Sequence, residues 1–502
     1  MFSVIELALT CSRAETRDGR TGQKGRLRQP IAYEREVIKA LSGRTLQEQE
    51  GSCKLHQRIE LVPRIGFWGA TSANVLNMIG VGPFLTIPLA LAAMGGPQAM
   101  LGWILGAFVS LCDGMVWSEL GSAMPLDGGP YHYLLQAFGP RTYGRLFSFL
   151  FLWQAIVLGP ISIAGGAVGF AQYAAYLLPH LHHAGSIAIA AAVCLVNTAL
   201  LYRNIRSISY LSIGTAIIVM GSTAWIILSG VTHFHPSMAF DFPQHAFHLN
   251  RGFFLGLGSA TLIAMYDYGG YYNVCLIGDE VTTPKKNIPR SILFSILLIA
   301  VIYLVMNVSI IGVLPWRDAM HSQTIVADFM VRIYGSMGGT SIAILILVAS
   351  FGSVFAILLG YSRIPYAAAQ GGQFFSVFGR LHPKGKFPYV SLLAMGICSA
   401  IACLFSLESL ITALIVTQTL LQFAAQCVAV ILLRKQKRAT ADAYRMPLYP
   451  LPALIALSGW LYIVVTSGAI YIALAGVFLI VGIALFLLRA RQQRCWPLAE
   501  AA

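Results

Sequence analysis

The chain has 502 residues, of which 57% are hydrophobic and 11% are charged, and its formal net charge is +14. Soluble domains carry about 25% charged residues, so a chain this poor in charge is not a set of soluble domains. The basic residues lie between apolar segments and not together in one polar domain, which argues against a nucleic-acid partner.

The chain begins with a polar segment, residues 1–60, that has mixed charge and no sustained helical pattern. Such a composition buries too little apolar surface to fold alone, and it predicts a mostly disordered cytoplasmic tail. The apolar stretch from Val4 to Leu9 is too short for the core of a signal peptide, and no basic segment precedes it.

About twelve apolar segments follow, and they define a predicted transmembrane domain over residues 61–488. Segments of about 17 to 25 apolar residues are long enough to cross a bilayer as helices. Backbone groups in hydrocarbon must be hydrogen-bonded within their own segment, so the predicted fold class is an all-α membrane protein. The predicted spans are 66–95, 98–120, 145–178, 186–202, 208–230, 252–277, 290–315, 340–368, 388–406, 409–433, 450–467 and 469–488.

Lys and Arg residues are distributed unevenly between the predicted loops. With the N-terminus inside, the outer segments contain only Arg251, Arg317 and Arg332, and all other Lys and Arg residues lie on the cytoplasmic side. This is the positive-inside bias of membrane proteins. We therefore expect a multi-pass protein of the cell membrane with both termini in the cytoplasm, including the short tail over 489–502.

The first span has Gly80, Gly82 and Pro83 near its middle. Proline removes a backbone donor, and glycine lowers the cost of leaving helical geometry. We expect an unwound stretch here, near the middle of the bilayer. Its freed N–H groups, at the start of the second half-helix, are suited to hold a carboxylate.

The sixth span contains the glycine pair Gly269 and Gly270 near its middle. We interpret Asp267, which lies just before this pair, as the one acid near the middle of a predicted span. An acid at this depth usually faces a cavity and has a partner. Three roles stay open for it. It binds a substrate ammonium group, carries a proton, or is a neutral, hydrogen-bonded acid without a role in transport.

Two interrupted helices in matching positions are typical of transporters built from inverted repeats. The two five-helix halves are predicted over 66–230 and 252–433, and two further helices follow over 450–488. The alternative is that the glycines only allow close helix packing.

Other functional classes find little support. The nine cysteines all fall in predicted helices or on the cytoplasmic side, so no structural disulfide is expected. The sequence has no metal-ligand spacing, and no nucleophile motif stands out, so we do not expect an enzyme. It also has no phosphate-binding glycine-rich loop with lysine, so we do not expect an ATP-driven pump. A membrane ligand sensor is a less favoured alternative, since neither tail offers an output domain.

From about Gly66 to Leu488, the chain resembles the amino acid–polyamine–organocation superfamily, and within it the L-type amino acid transporters and their bacterial relatives. The motifs that carry the resemblance are Ile79-Gly80-Val81-Gly82, Glu119-Leu120-Gly121 before Gly128-Gly129-Pro130-Tyr131-His132-Tyr133, Tyr268-Gly269-Gly270 followed by Asp279-Glu280, Pro284 and Asn287-Ile288-Pro289, and Phe351-Gly352-Ser353-Val354 followed by Ser362-Arg363.

The resemblance implies a LeuT-like five-plus-five inverted repeat with helices 1 and 6 broken, alternating access around a central site, and no cofactor. The first break would hold the substrate carboxylate, and carbonyls of the second break would hold the amino group, with Tyr266 as an aromatic gate. The implied substrate-binding residues are Ile79, Gly80, Val81, Gly82, Tyr266, Asp267, Tyr268 and Gly269.

Three residues are implied in coupling or gating. Arg206 aligns with a basic residue that takes the place of sodium in sodium-independent members, the alternative being an ordinary loop arginine. Ser353 lies in the predicted eighth helix. In sodium-coupled relatives, sodium binds between the first and the eighth helix. Glu280 is expected at an inner gate. We therefore expect a secondary active amino acid transporter that is independent of sodium and works by proton coupling or exchange. The alternative is a polyamine or cationic amine transporter of the same fold.

The chain departs from the family pattern in three places. Val81 and Pro83 stand where the family often has serine and an aliphatic residue, so the carboxylate site lacks one hydroxyl and one N–H. Asp267 replaces a small neutral residue, which favours substrates with an extra amine, or proton coupling. The loop 179–186 lacks the cysteine that links mammalian L-type chains to a glycoprotein, so no disulfide-linked heavy chain is expected.

Overall fold

The computed structural model describes residues 65–492 except 127, 141, 204–207, 371–373, 384–386 and 437–442, and for residues 203, 208–213 and 492 it describes the backbone alone. The predicted tail over 1–60 and the candidate coupling residue Arg206 lie outside the described residues.

The described part of the chain is helical, as predicted, and contains no strand; a single isolated bridge pairs Ile65 with Val281. The main helices are α1 (Phe67–Met78), α2 (Pro83–Met94), α3 (Met100–Ala123), α4 (Pro130–Ala137), α5 (Tyr143–Leu177), α6 (His183–Arg203), α7 (Ile208–Thr232), α8 (Arg251–Tyr268), α9 (Pro284–Ile311), α10 (Ile325–Gln370), α11 (Tyr389–Ala402), α12 (Leu407–Gln418), α13 (Ala424–Lys435), α14 (Leu451–Thr466) and α15 (Ala469–Gln492). A π-helical turn, Thr419–Phe423, joins α12 to α13.

Eight helices of the described part are long and apolar enough to cross a membrane, or nine if the bent pair of α1 and α2 counts as one span. The shorter helices α11 and α14 are also apolar. The all-helical fold of a membrane protein is thus confirmed, while the count of twelve spans and the five-plus-five repeat stay predictions.

The sixth predicted span, 252–277, extends beyond the observed helix, and the eighth, 340–368, lies within α10, which is interrupted at Gly335 with φ +71°. Helix α8 ends at Tyr268, and between residues 273 and 280 the chain forms only two short 3-10 turns. The cause is local, because Gly269 leaves the helix with ψ 138° and Gly270 has φ +114°. Only glycine adopts the second of these conformations without strain.

Helix α3 packs closely against α8 through two glycines. A Cβ atom on Gly102 would lie 2.7 Å from the Cβ atom of Ala260, and one on Gly106 would lie 3.1 Å from that of Ala264. Small residues at helix interfaces allow backbones to approach in membranes. This contact places the C-terminal end of α8, and therefore the second break, beside α3.

Candidate functional site

The first break separates α1 from α2, whose axes differ in direction by 55°. Gly80 turns back to donate to the carbonyl of Met78 at 3.0 Å, whereas the N–H groups of Val81 and Gly82 donate to no acceptor among the described residues. Pro83, at the first position of α2, has no N–H to donate. Two unpaired donors therefore remain at the N-terminal end of a helix, where the backbone favours an anion.

The second break lies at the C-terminal end of α8. The carbonyl groups of Tyr268 and Gly269 accept no hydrogen bond from the described residues. Gly270 passes so close to α1 that a Cβ atom there would lie 2.6 Å from Nδ2 of Asn77. The break thus offers carbonyl oxygens that can accept hydrogen bonds from a cation.

The two breaks are in direct contact. A Cβ atom on Gly82 would lie 2.9 Å from Oδ1 of Asp267 and 3.0 Å from Cε1 of Tyr266. The hydroxyl of Tyr303, on α9, donates to the carbonyl of Met78 at 2.7 Å and to that of Asp267 at 3.4 Å. The structure therefore brings together predicted residues from both breaks.

Asp267 has one paired and one unpaired carboxyl oxygen. Thr86 of α2 donates to Oδ2 at 2.7 Å, and the indole of Trp103 also lies near the carboxyl. Oδ1 has no hydrogen-bond partner among the described residues, although the side chain is only 2% exposed. A buried acid with an open oxygen beside a helix break is a group that a ligand or a proton can satisfy.

The two neighbouring tyrosines differ in placement. The hydroxyl of Tyr266 points across to α5, where it lies 3.5 Å from the position of a Cβ atom on Gly165. Tyr268 is fully buried, and its hydroxyl donates to the carbonyl of Trp103 at 3.2 Å. The side chain of Tyr266 therefore borders the breaks, whereas that of Tyr268 packs against α3 and contributes only backbone atoms to the site.

The contacts described above involve neither Ser353 nor Glu280, and Arg206 lies outside the described residues. Ser353 lies half-buried on α10. The backbone of Glu280 accepts a hydrogen bond from the N–H of Ile65 at 3.0 Å, which ties the segment after the second break to the start of α1. The roles of Ser353, Glu280 and Arg206 stay predictions.

Two buried acids in α3 were missed or misassigned by sequence reasoning. Glu119, which was named above only as part of a family motif, pairs with Arg434 of α13 through bonds of 2.5 and 2.6 Å. Asp113, midway along α3, is fully buried. The interpretation that Asp267 is the one acid near the middle of a span is therefore wrong, and an acid inside the apolar run 98–120 was the available signal.

The family follows from comparison with known proteins. A family model described as amino acid permease matches residues 65–493. The chain belongs to the amino acid permease family. This permease is thus a membrane transport protein, and both breaks lie inside the matched region.

Its curated relatives transport amino acids. The permease is 25% identical over 434 residues to the serine/threonine exchanger SteT of Bacillus subtilis, covering 84% of this chain and 95% of that one. It is 24% identical over 453 residues to the branched-chain amino acid permease BcaP of the same organism, covering 85% and 93%. It is 29% identical over 344 residues to the human large neutral amino acids transporter small subunit 2, covering 67% of this chain and 63% of that one.

Proposed function

We propose that this permease is a secondary active transporter that moves amino acids across the cell membrane by alternating access. The observation that carries the proposal is the contact between two breaks of opposite polarity. One has unpaired N–H groups at Val81 and Gly82, and the other has unpaired carbonyls at Tyr268 and Gly269. The carboxylate and ammonium groups of one amino acid match these two sets of backbone groups.

The proposed transport cycle does not use sodium and proceeds by proton coupling or by exchange. A five-plus-five inverted repeat with both termini in the cytoplasm and no disulfide-linked heavy chain is part of this proposal. Arg206, Ser353 and Glu280 are its candidate coupling and gate residues. The name of one relative, a serine/threonine exchanger, supports exchange as one of the two modes.

The test is uptake by the full chain in proteoliposomes, with labelled leucine, serine, lysine and putrescine as probes. Each probe is measured with a sodium gradient, with a proton gradient, with unlabelled amino acid inside, and without any of these. We expect saturable transport of at least one amino acid without sodium. No saturable transport of any probe would contradict the proposal, and transport only with sodium would contradict its coupling mode.

A cationic amine transporter is the second candidate, because Oδ1 of Asp267 is buried and unpaired beside the first break. The substitution Asp267→Asn keeps the shape of the side chain and removes its negative charge. If the carboxylate holds a second amine, uptake of lysine and putrescine falls by about tenfold or more, since a charged hydrogen bond contributes about 1.5–3 kcal/mol. Uptake of leucine, which has no second amine, is retained.

The control for this substitution is Asp241→Asn, since Asp241 is an exposed acid outside the helices and pairs with Arg317. It is expected to leave the uptake of all four probes unchanged. Equal loss of leucine and lysine uptake in Asp267→Asn would assign the acid a role other than recognition of a second amine.

A further inference from the structure

Asp113 is a second buried acid, and it lies apart from the two breaks. Its side chain is fully buried. Oδ2 accepts a hydrogen bond of 2.5 Å from the hydroxyl of Tyr271, and Oδ1 accepts from Nε1 of Trp460 at 3.2 Å and from Sγ of Cys427 at 3.7 Å. All three donors are neutral groups.

The contrast with Glu119 on the same helix is informative. Glu119 is equally buried, but Arg434 neutralises it with two hydrogen bonds. Asp113 has no Lys, Arg or His partner among the described residues. A buried carboxylate without a countercharge is costly, and hydrogen bonds from neutral groups offset that cost only in part. Its charged and protonated forms are therefore closer in free energy than those of an acid held by arginine.

The helices around Asp113 provide few other titratable groups. Its neighbour Cys112 lies on α3, and α9 contributes the apolar side chains of Ile292 and Ile296 to the adjoining Gly114. The indole of Trp117 also lies near the carboxyl, and it stacks on the ring of Tyr272 with centroids 4.7 Å apart. The remaining titratable groups that face the carboxyl are Tyr271, Tyr272 and Cys427.

The donors of this cluster come from separate parts of the fold. Tyr271 directly follows the second break, whereas Cys427 belongs to α13 and Trp460 to α14. A charged Asp113 accepts all three hydrogen bonds. A protonated Asp113 carries its own hydrogen and has less capacity to accept, so its bond to Tyr271 weakens. Protonation therefore changes how firmly the segment after the break is held to α3.

We propose that Asp113 is the proton-binding site through which this permease is coupled to a proton gradient. This inference rests on the proposed transport function. The proton binds to the carboxyl of Asp113 when the carboxyl is accessible from one side of the membrane. Protonation weakens the hydrogen bond to Tyr271, so the chain segment after the second break can move. The proton then leaves to the other side. Substrate recognition stays with the two breaks.

The test compares wild type with Asp113→Asn in proteoliposomes that contain a pH-sensitive dye. The probe is whichever of labelled leucine, serine or lysine the wild type transports. Counterflow, in which unlabelled amino acid inside exchanges for labelled amino acid outside, needs no net proton movement. We expect Asp113→Asn to retain counterflow within about twofold, and to lose both accumulation driven by a proton gradient and substrate-dependent proton entry.

A second variant, Tyr271→Phe, keeps the acid and removes the donor with the shortest bond. Because that bond stabilises the charged form, its loss makes the carboxyl hold its proton more tightly. The pH at which gradient-driven uptake is half-maximal is therefore expected to rise. The proton concentration at this pH is expected to be lower than in the wild type by about tenfold or more. Asp241→Asn, at an exposed acid, serves as the control and shifts nothing.

The outcomes separate the two proposals. If the wild type shows no counterflow of any amino acid, the transport function itself fails. Three results overturn the role of Asp113 while leaving transport intact: proton-driven accumulation that survives in Asp113→Asn, net amino acid uptake by the wild type without substrate-dependent proton entry, or an unchanged pH profile in Tyr271→Phe. If Asp113→Asn does not fold, Tyr271→Phe decides the question alone.

Discussion

At the residue scale, Gly82 lies so close to Asp267 that a larger side chain would press against the carboxyl of the acid. An added Cβ atom would lie 2.9 Å from Oδ1 of the acid and 3.0 Å from the ring of Tyr266. Real Cβ atoms rarely approach so closely, so the carboxyl of Asp267 or the ring of Tyr266 would have to shift. The glycine therefore keeps the unpaired N–H groups of the first break next to the acid of the second.

We expect Gly82→Ala to raise the KM for amino acid uptake by about tenfold or more, which corresponds to about 1.4 kcal/mol of lost binding. The control is Gly221→Ala on α7, where an added Cβ atom meets nothing within 4 Å. Uptake kinetics and size-exclusion profiles of both variants check the prediction. Equal KM values for the two alanine variants would show that the close approach is not needed for transport.

At the element scale, α3 is tied to α13 and to the chain that follows it. Glu119 accepts two hydrogen bonds from Arg434 and a third, of 2.9 Å, from the N–H of Met446. The guanidinium of Arg434 also lies 3.9 Å from the ring centre of Tyr449. Because Glu119 is almost completely buried, its charge depends on this arginine.

The substitution Arg434→Met is expected to lower the free energy of unfolding by about 3 kcal/mol, because it leaves a buried carboxylate without its countercharge. Chemical unfolding in detergent micelles measures this loss. The double variant with Glu119→Gln, which removes the stranded charge, should recover part of the stability. A double variant no more stable than Arg434→Met would contradict the explanation.

The matched control is Arg317→Ala, which removes the exposed ion pair with Asp241. The hydrogen bond from Arg317 lowers the pKa of Asp241. Any stability from this pair is therefore present above the ordinary pKa of the carboxyl and is lost as the pH falls through the lowered value. Exposed pairs contribute little, so we expect no measurable change in unfolding at neutral pH.

At the scale of the whole molecule, the uneven distribution of Lys and Arg predicts which ends of the helices face the cytoplasm. The loop before α8 belongs to the predicted outer side, and the C-terminal end of α13 belongs to the inner side. Both positions are exposed at Gln244 and Lys435. They allow the predicted orientation to be measured without disturbing the core.

We expect a membrane-impermeant maleimide to label Gln244→Cys in intact cells and Lys435→Cys only in permeabilised cells. Of the six described cysteines only Cys398 is exposed. The labelling background therefore needs serine at that position and at the three cysteines outside the described residues. Labelling of Lys435→Cys in intact cells would reverse the proposed orientation.

The helices and the first break were predictable because they depend on local properties. A run of apolar residues has to form a helix in hydrocarbon, and the sequence from Gly80 to Pro83 weakens helical geometry wherever it occurs. Helix α8 ends at the glycine pair Gly269 and Gly270, where a break was predicted, but the 3-10 turns that follow it were not predicted. The two glycines explain locally why α8 ends, but beyond them the chain passes close to Asn77, and such a contact between residues far apart in the chain has no local signal.

The sequence by itself thus determined that this protein is helical and belongs in a membrane, and it indicated a weak point in the helix at Gly80 to Pro83 and another at Gly269 and Gly270, since hydropathy and backbone preference act within a few residues. The tertiary structure decided which polar groups meet. Asp113 and Tyr271 are 158 positions apart, and Glu119 and Arg434 are 315 positions apart. No local pattern specifies such pairs, because burial and the packing of whole helices bring their partners together. For the same reason the contact of Asp267 with Gly82, on which the proposed substrate site depends, became visible only in the folded chain.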